Sequence, residues 1–240
     1  MVKNSFTRKG RDFHRLVNGK IIQAVSYYSF AFSREFTIQF AILPLCLGAE
    51  CSAPLVSIHR ICSHEDFTGE VAPWHYEGSE GYMECMPTAL KATEELLLPK
   101  MDREINYENY YSNYLRSKAF TLGWDKISFQ RYIFALIFEN YADAEKTMDK
   151  NIKNWRETNI ENFGTEYHIA PEMQEKFERR CIDYYHIKKA MDKGDRKSIE
   201  EYISSLEQKS LQSYVKAYST SKKYEKYLET GVLPFEVVNI

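Results

Sequence analysis

The chain has 240 residues, 44% apolar and 15% aromatic, which is ample for a packed core and excludes a disordered chain. Its 32 basic and 34 acidic residues leave a formal charge of −2 and are mostly interspersed, so no broad field of one sign is available to hold a nucleic acid. The longest apolar run, Ile38 to Leu47, is broken by Gln39 and Pro44, and the first ten residues carry no apolar stretch of signal-peptide length. Five cysteines (Cys46, Cys51, Cys62, Cys85 and Cys181) form no small-domain disulfide framework and fit a reducing compartment. The sequence therefore predicts a cytoplasmic protein without a membrane partner.

The first element is a hairpin. Asn18-Gly19 lies between the strand-like runs Phe13 to Val17 and Ile21 to Phe30, and a type I′ turn requires positive φ at both central residues. The cations of this hairpin, Arg8, Lys9, Arg11 and Arg15, read as ordinary solvated residues rather than as a phosphate-binding patch. A third strand follows, in which Phe36, Ile38, Phe40 and Ile42 share one face and Pro44 ends the pairing. Leu55 to Ile61 alternates less cleanly and suits an edge. From Ser63 to Gly81 the chain reads as a long loop, with room for one short strand around Trp74-His75-Tyr76.

Beyond Met86 the apolar period becomes helical. Pro87 to Ile105 carries Leu90, Leu97, Leu98, Met101 and Ile105 in phase, and Pro99 must kink or restart it. Asn106 is placed to cap a helix striped with Tyr107, Tyr110, Tyr111, Tyr114 and Leu115. A helix opening at Ser128 is apolar on two sides, through Phe129, Tyr132, Ile133, Leu136 and Ile137 and through Phe134 and Phe138. Charged helices follow, from about Asp143 to Arg156 and from Pro171 to a left-handed cap at Gly194. Asp195 then caps a run whose stripe slips phase, which predicts a bend or a break near Gln208 to Ser210. Gly231 and Pro234 close the last helix, and Phe235 to Ile240 reads as an extended tail. No 34-residue repeat recurs, so the helices form a non-repeating bundle.

The stretch Phe6-Thr-Arg-Lys-Gly-Arg-Asp-Phe13, the Asn-Gly turn, the Gln23-containing strand and Trp74 ahead of a helix ending Glu94-Glu-Leu-Leu-Leu-Pro99 resemble a bacterial family, domain of unknown function 4304. The resemblance covers roughly residues 5 to 105. It implies an α+β fold, a helix ahead of the Phe-x-x-x-Gly-Arg stretch, and no established activity.

Chemistry-bearing patterns are few. His59-x-x-Cys62-x-His64, with His75 and Cys85 downstream, has ligand types that zinc accepts, although His59 and Cys62 on one strand point to opposite faces. Cys62 or Cys85 beside His64 or His75 could form a thiolate pair. Glu94-Glu95 and Glu200-Glu201 diverge on their helices and cannot share a proton. Gly78-Ser-Glu-Gly81 lacks the context of a phosphate loop. The adjacent pairs Tyr27-Tyr28, Tyr110-Tyr111 and Tyr184-Tyr185 must each turn one ring away from the core, and outward tyrosines suit protein interfaces.

The expected fold is α+β: an antiparallel sheet of about four strands with a covering helix over residues 1–105, followed by a helical region over 106–240. The expected function is a cytoplasmic, non-catalytic protein-binding module, of which a bacterial toxin-neutralising immunity protein is one form. Tyr28, Trp74, Tyr76, Tyr111 and Tyr185 are the candidate partner contacts. A hydrolase or transferase using Cys62, His64 and His75 is one alternative, and a structural or assembly subunit is another. No cofactor, no metal and no nucleic-acid partner are expected, with His59, Cys62 and His64 as the candidate ligands were a metal to bind.

Overall fold

The computed structural model describes residues 5–10, 12–30, 35–47, 59–61, 74–75, 86–87, 89–91, 93–115, 124–162 and 171–240. The fold is α+β, with an N-terminal antiparallel sheet and a C-terminal helical region. Two compact units are present, Met1–Asn113 together with Glu207–Ile240, and Tyr114–Leu206. The last 34 residues thus pack with the first part of the chain. No described helix is long and apolar enough to cross a membrane.

The sheet runs β1 (Thr7–Lys9), β2 (Asp12–Val17), β3 (Ile21–Phe30), β4 (Glu35–Pro44) and β5 (His59–Ile61) in spatial order, each antiparallel to the next. The short β6 (Trp74–His75) pairs with β4. β7 (Val237–Val238) lies parallel to β2, so the tail is a strand. Asn18 and Gly19 take φ of 49° and 64°, and the Lys20 N–H donates to the Val17 carbonyl to close the turn. Val17 pairs with Ile21, which leaves Lys20 as an extra residue in the loop. Its carbonyl accepts from the Leu45 N–H, just past the end of β4.

Asn18 does more than turn the chain. Its side-chain amide donates to the carbonyls of Ile105 and Ile240, its Oδ1 accepts from the Ile240 N–H, and its backbone N–H donates to Val238. Asn18→Ala should therefore cost about 2 kcal/mol in urea denaturation, through left-handed strain and lost hydrogen bonds. Asn18→Gly relieves the strain and should recover part of that loss. Equal stability of the alanine variant and the wild type would contradict this anchoring role.

Both faces of the sheet are covered. Val17, Ile21, Val25, Ile38, Phe40 and Ile42 are buried on one face. The segment predicted to cover it does so: the Gln23 amide donates to the Met101 and Glu104 carbonyls, and Lys100 lies over the Phe40 ring. This cover is a π-type turn (Thr93–Leu97) leading into α1 (Leu98–Met101), with Pro99 in the first turn. The proline lacks an N–H and crowds the carbonyl four residues back, so a widened turn ahead of it is the expected accommodation. Leu97, Leu98 and Met101 are buried as predicted, but Leu90 is 42% exposed, and Ala89 and Thr93 fill the inner positions.

The other face carries Leu16, Ile22, Ala24, Ala41 and Leu43, which pack with Leu45, Tyr214 and Tyr218 and are flanked by Leu211, Leu233 and Phe235. Its cover is the end of α6 (Arg196–Tyr218) and the segment after α7 (Ser221–Thr230). A break near Gln208 to Ser210 does not occur: α6 is continuous there and ends at Tyr218, ahead of Ser219-Thr220. Residues up to Leu206 belong to one unit and those from Glu207 to the other, which puts the unit boundary beside the slip in the stripe. Thr220 caps α7 by accepting from the Lys223 N–H.

α2 (Tyr107–Tyr110) is capped by the Asn106 side chain, as predicted, and runs into a π-type turn, Tyr111–Leu115. The Tyr107 hydroxyl accepts from the Cys46 N–H and donates to Glu207, whose carboxylate also binds Lys20. In the second unit, α3 (Trp124–Ile137) begins four residues before Ser128, and α4 (Tyr141–Asn162) extends past both predicted ends. Phe129, Tyr132, Ile133, Phe134 and Leu136 are all buried, so α3 is apolar on two sides, while Arg131 is exposed. α5 (Pro171–Lys193) ends before Gly194 at φ 67°, and the Asp195 side chain accepts from the Ser198 N–H. The Tyr184 hydroxyl of α5 donates to Asp149 of α4.

Candidate functional site

Strand alternation places Asp12, His14 and Leu16 on the face covered by the C-terminal segment, and Phe13, Arg15 and Val17 on the other. The two faces hold different polar devices. On the second face Arg15 is 4% exposed, which corrects the expectation that it is solvated. Its Nε–H donates to the Gln23 side-chain oxygen at 2.8 Å, its Nη2 pairs with Asp102, and its guanidinium lies 4.5 Å from the centre of the Phe6 ring. Gln23 spends its amide on the covering segment. Arg15 and Gln23 thus form a structural bracket with its charge neutralised.

On the first face His14 is fully buried, with Nδ1 2.6 Å from the Tyr214 hydroxyl. Its ring centre lies 4.1 Å from that of Tyr218, the two planes tilted by 36°, and it meets Phe235 edge-on at 5.7 Å. Burial, and secondarily the Lys9 charge, pushes the His14 pKa down to about 4. The imidazole is therefore neutral at pH 7. Burial also raises the Tyr214 and Tyr218 hydroxyls above their ordinary range, with the Asp12 carboxylate adding to the second shift. Asp12 Oδ1, His14 Nε2 and Tyr218 Oη have no hydrogen-bond partner among the described residues.

This ring cluster adjoins a partly open cavity of about 200 Å³ bounded by β1, the turn between α6 and α7, and the Pro234-Phe235 bend. Tyr218 and Phe235 belong both to the ring cluster and to the cavity wall. Lys9 reaches across from β1 and donates to the carbonyls of Ala217 and Ser219, which neutralises the C-terminal end of α6. A cavity of this size is below that of a drug-like ligand and suits an ion or a small organic group.

The sequence-derived candidates fall elsewhere. Tyr185 of α5 is 47% exposed and Tyr111 is half-buried, while their neighbours Tyr184 and Tyr110 are buried, so each of these pairs divides as expected. The side chains of Tyr28, His59, Trp74 and His75 lie outside the described residues, as do Cys62, His64, Tyr76 and Cys85 entirely. The proposed zinc ligands and thiolate pairs are therefore outside the description, and no group of three or more metal-ligating His, Cys, Asp or Glu side chains occurs among the described residues. Sequence reading passed over His14. Its signal was parity: a histidine two residues before the core Leu16 shares the buried face.

Comparison with protein-family models, curated proteins and solved structures finds no match to this chain.

Proposed function

We propose that this chain is a non-catalytic protein-binding module acting in the cytoplasm, in the form of a bacterial toxin-neutralising immunity protein. The observation that carries the reading is the outer face of α5, where Ile182 is 56% and Tyr185 47% exposed, three residues apart and so on one side of the helix. The Tyr185 ring packs on Tyr184, with centroids 5.5 Å apart, and Tyr184 is held by Asp149. A supported aromatic beside an exposed aliphatic is the composition that anchors protein interfaces. The state of His14 supports the same reading, because a base whose pKa lies near 4 is poorly matched to proton transfer at neutral pH. The resemblance of residues 5 to 105 to domain of unknown function 4304 supplies no catalytic residue either.

The test is affinity capture from the native cell with the full chain and with an Ile182→Ser, Tyr185→Ala double variant. The wild type should recover one protein in equimolar amount, and the variant should bind it about 30-fold more weakly, as loss of a central anchor does. Absence of an equimolar partner, or equal capture by the variant, would contradict the proposal. Relief of toxicity on co-expression with the captured protein would distinguish an immunity role from other binding.

A further inference from the structure

The outer stripe of α5 has an order along its length that the protein-binding reading does not use. The helix turns Tyr184, Ile187 and Ala190 inward, and leaves Glu175, Glu178, Ile182, Tyr185, Lys189 and Asp192 exposed. These six recur at spacings of three and four, so they form one seam, the pattern by which two helices pack side by side. Carboxylates lie at the N-terminal end of the seam, the two apolar side chains at its middle, and a lysine one turn beyond them. Such an order is complementary to its own reverse. About a two-fold axis midway between Ile182 and Tyr185, Ile182 of each copy meets Tyr185 of the other, and Glu178 of each meets Lys189 of the other. The next layer sets Glu175 against Asp192, but Arg179 pairs with the first and Lys188 lies 3.9 Å from the second, each on its own helix. A parallel pairing would instead set Glu178 on Glu178 and Lys189 on Lys189. Antiparallel packing also lays the two helix dipoles head to tail.

We propose that α5 pairs with α5 of a second copy of this chain, antiparallel about a two-fold axis between Ile182 and Tyr185. One helix face buries less than the roughly 800 Å² per partner of a stable interface, so the dimer is weak, half-formed on the order of 0.1 mM. The regulatory consequence rests on the protein-binding reading. A dimer covers the same Ile182 and Tyr185 that hold a partner, so the two complexes exclude each other.

The test is sedimentation equilibrium of the full chain from about 10 µM to about 1 mM, a range that brackets this affinity. The mean mass should rise with concentration from 28.3 kDa towards twice that value. Glu178→Lys or Lys189→Glu alone places like charges in two symmetry-related layers and should weaken association about tenfold. The two together restore opposite charges and should return association to within about twofold of wild type. Tyr185→Ala should weaken it about 30-fold, as loss of a central anchor does. Glu200→Lys, the same charge reversal on the exposed surface of α6, should leave it unchanged. A mass constant at 28.3 kDa, no recovery in the double variant, or an equal loss with Glu200→Lys would overturn the pairing. The mass is read without any partner, so a monomer leaves the capture result standing, and a dimer without a captured protein counts against the binding reading alone.

Discussion

Arg15→Ala is expected to destabilise the protein by about 3 kcal/mol, the low end for breaking a buried ion pair. The low end applies because the Asp102 side chain keeps 48% of its exposure and can be hydrated once the cation is gone. Gln23 is less fortunate: it is fully buried, and its side-chain oxygen would lose the Arg15 Nε–H. The Phe6 ring would lose the cation above it and the stem that fills the space. Arg15→Lys keeps a charge but not the fork that serves Gln23 and Asp102 together, so its cost should fall between wild type and alanine. Urea denaturation followed by circular dichroism measures all three. An alanine variant within about 0.5 kcal/mol of wild type is the behaviour of a surface residue and would return Arg15 to solvent.

Acid should act through His14. Its pKa is about 4 in the folded chain against an ordinary 6.5, so the unfolded chain takes up the proton more readily. The contribution of neutral, buried His14 is complete above pH 6.5, is lost progressively as pH falls towards about 4, and changes no further below that. The full span is roughly 3 kcal/mol, from about 1.4 kcal/mol per pH unit of displacement. His14→Phe removes this group, and its stability should fall less steeply over the same window. Parallel curves for variant and wild type would show that His14 carries no such load.

Local chemistry with a short reach was legible in the sequence. The Asn-Gly turn, the Asn106 cap, the Gly194 stop and the shift from a period of two to a helical period each depend on a few neighbouring residues. Long-range packing was not. β3 carries apolar residues at both parities, Ile21 and Val25 on one face and Ile22 and Ala24 on the other, because both faces are covered. Only one cover, the segment before Ile105, could be read, since the other arrives some 200 residues later from α6. Arg15 read as solvated because its partner Asp102 is 87 residues away and its partner Gln23 depends on a register shifted by the extra Lys20. The slip in the α6 stripe lies beside the boundary between the two compact units, at Leu206 and Glu207, and within a continuous helix rather than at a break.

The central claim is that the C-terminal helix closes the first strands into one core around His14. A double-mutant cycle over His14→Phe and Tyr214→Phe tests it most directly, because the two side chains lie 200 positions apart and share one hydrogen bond. The account predicts a coupling of about 1 kcal/mol or more, since each single variant strands a buried polar group that the double variant removes. Strictly additive effects of the two substitutions would contradict it.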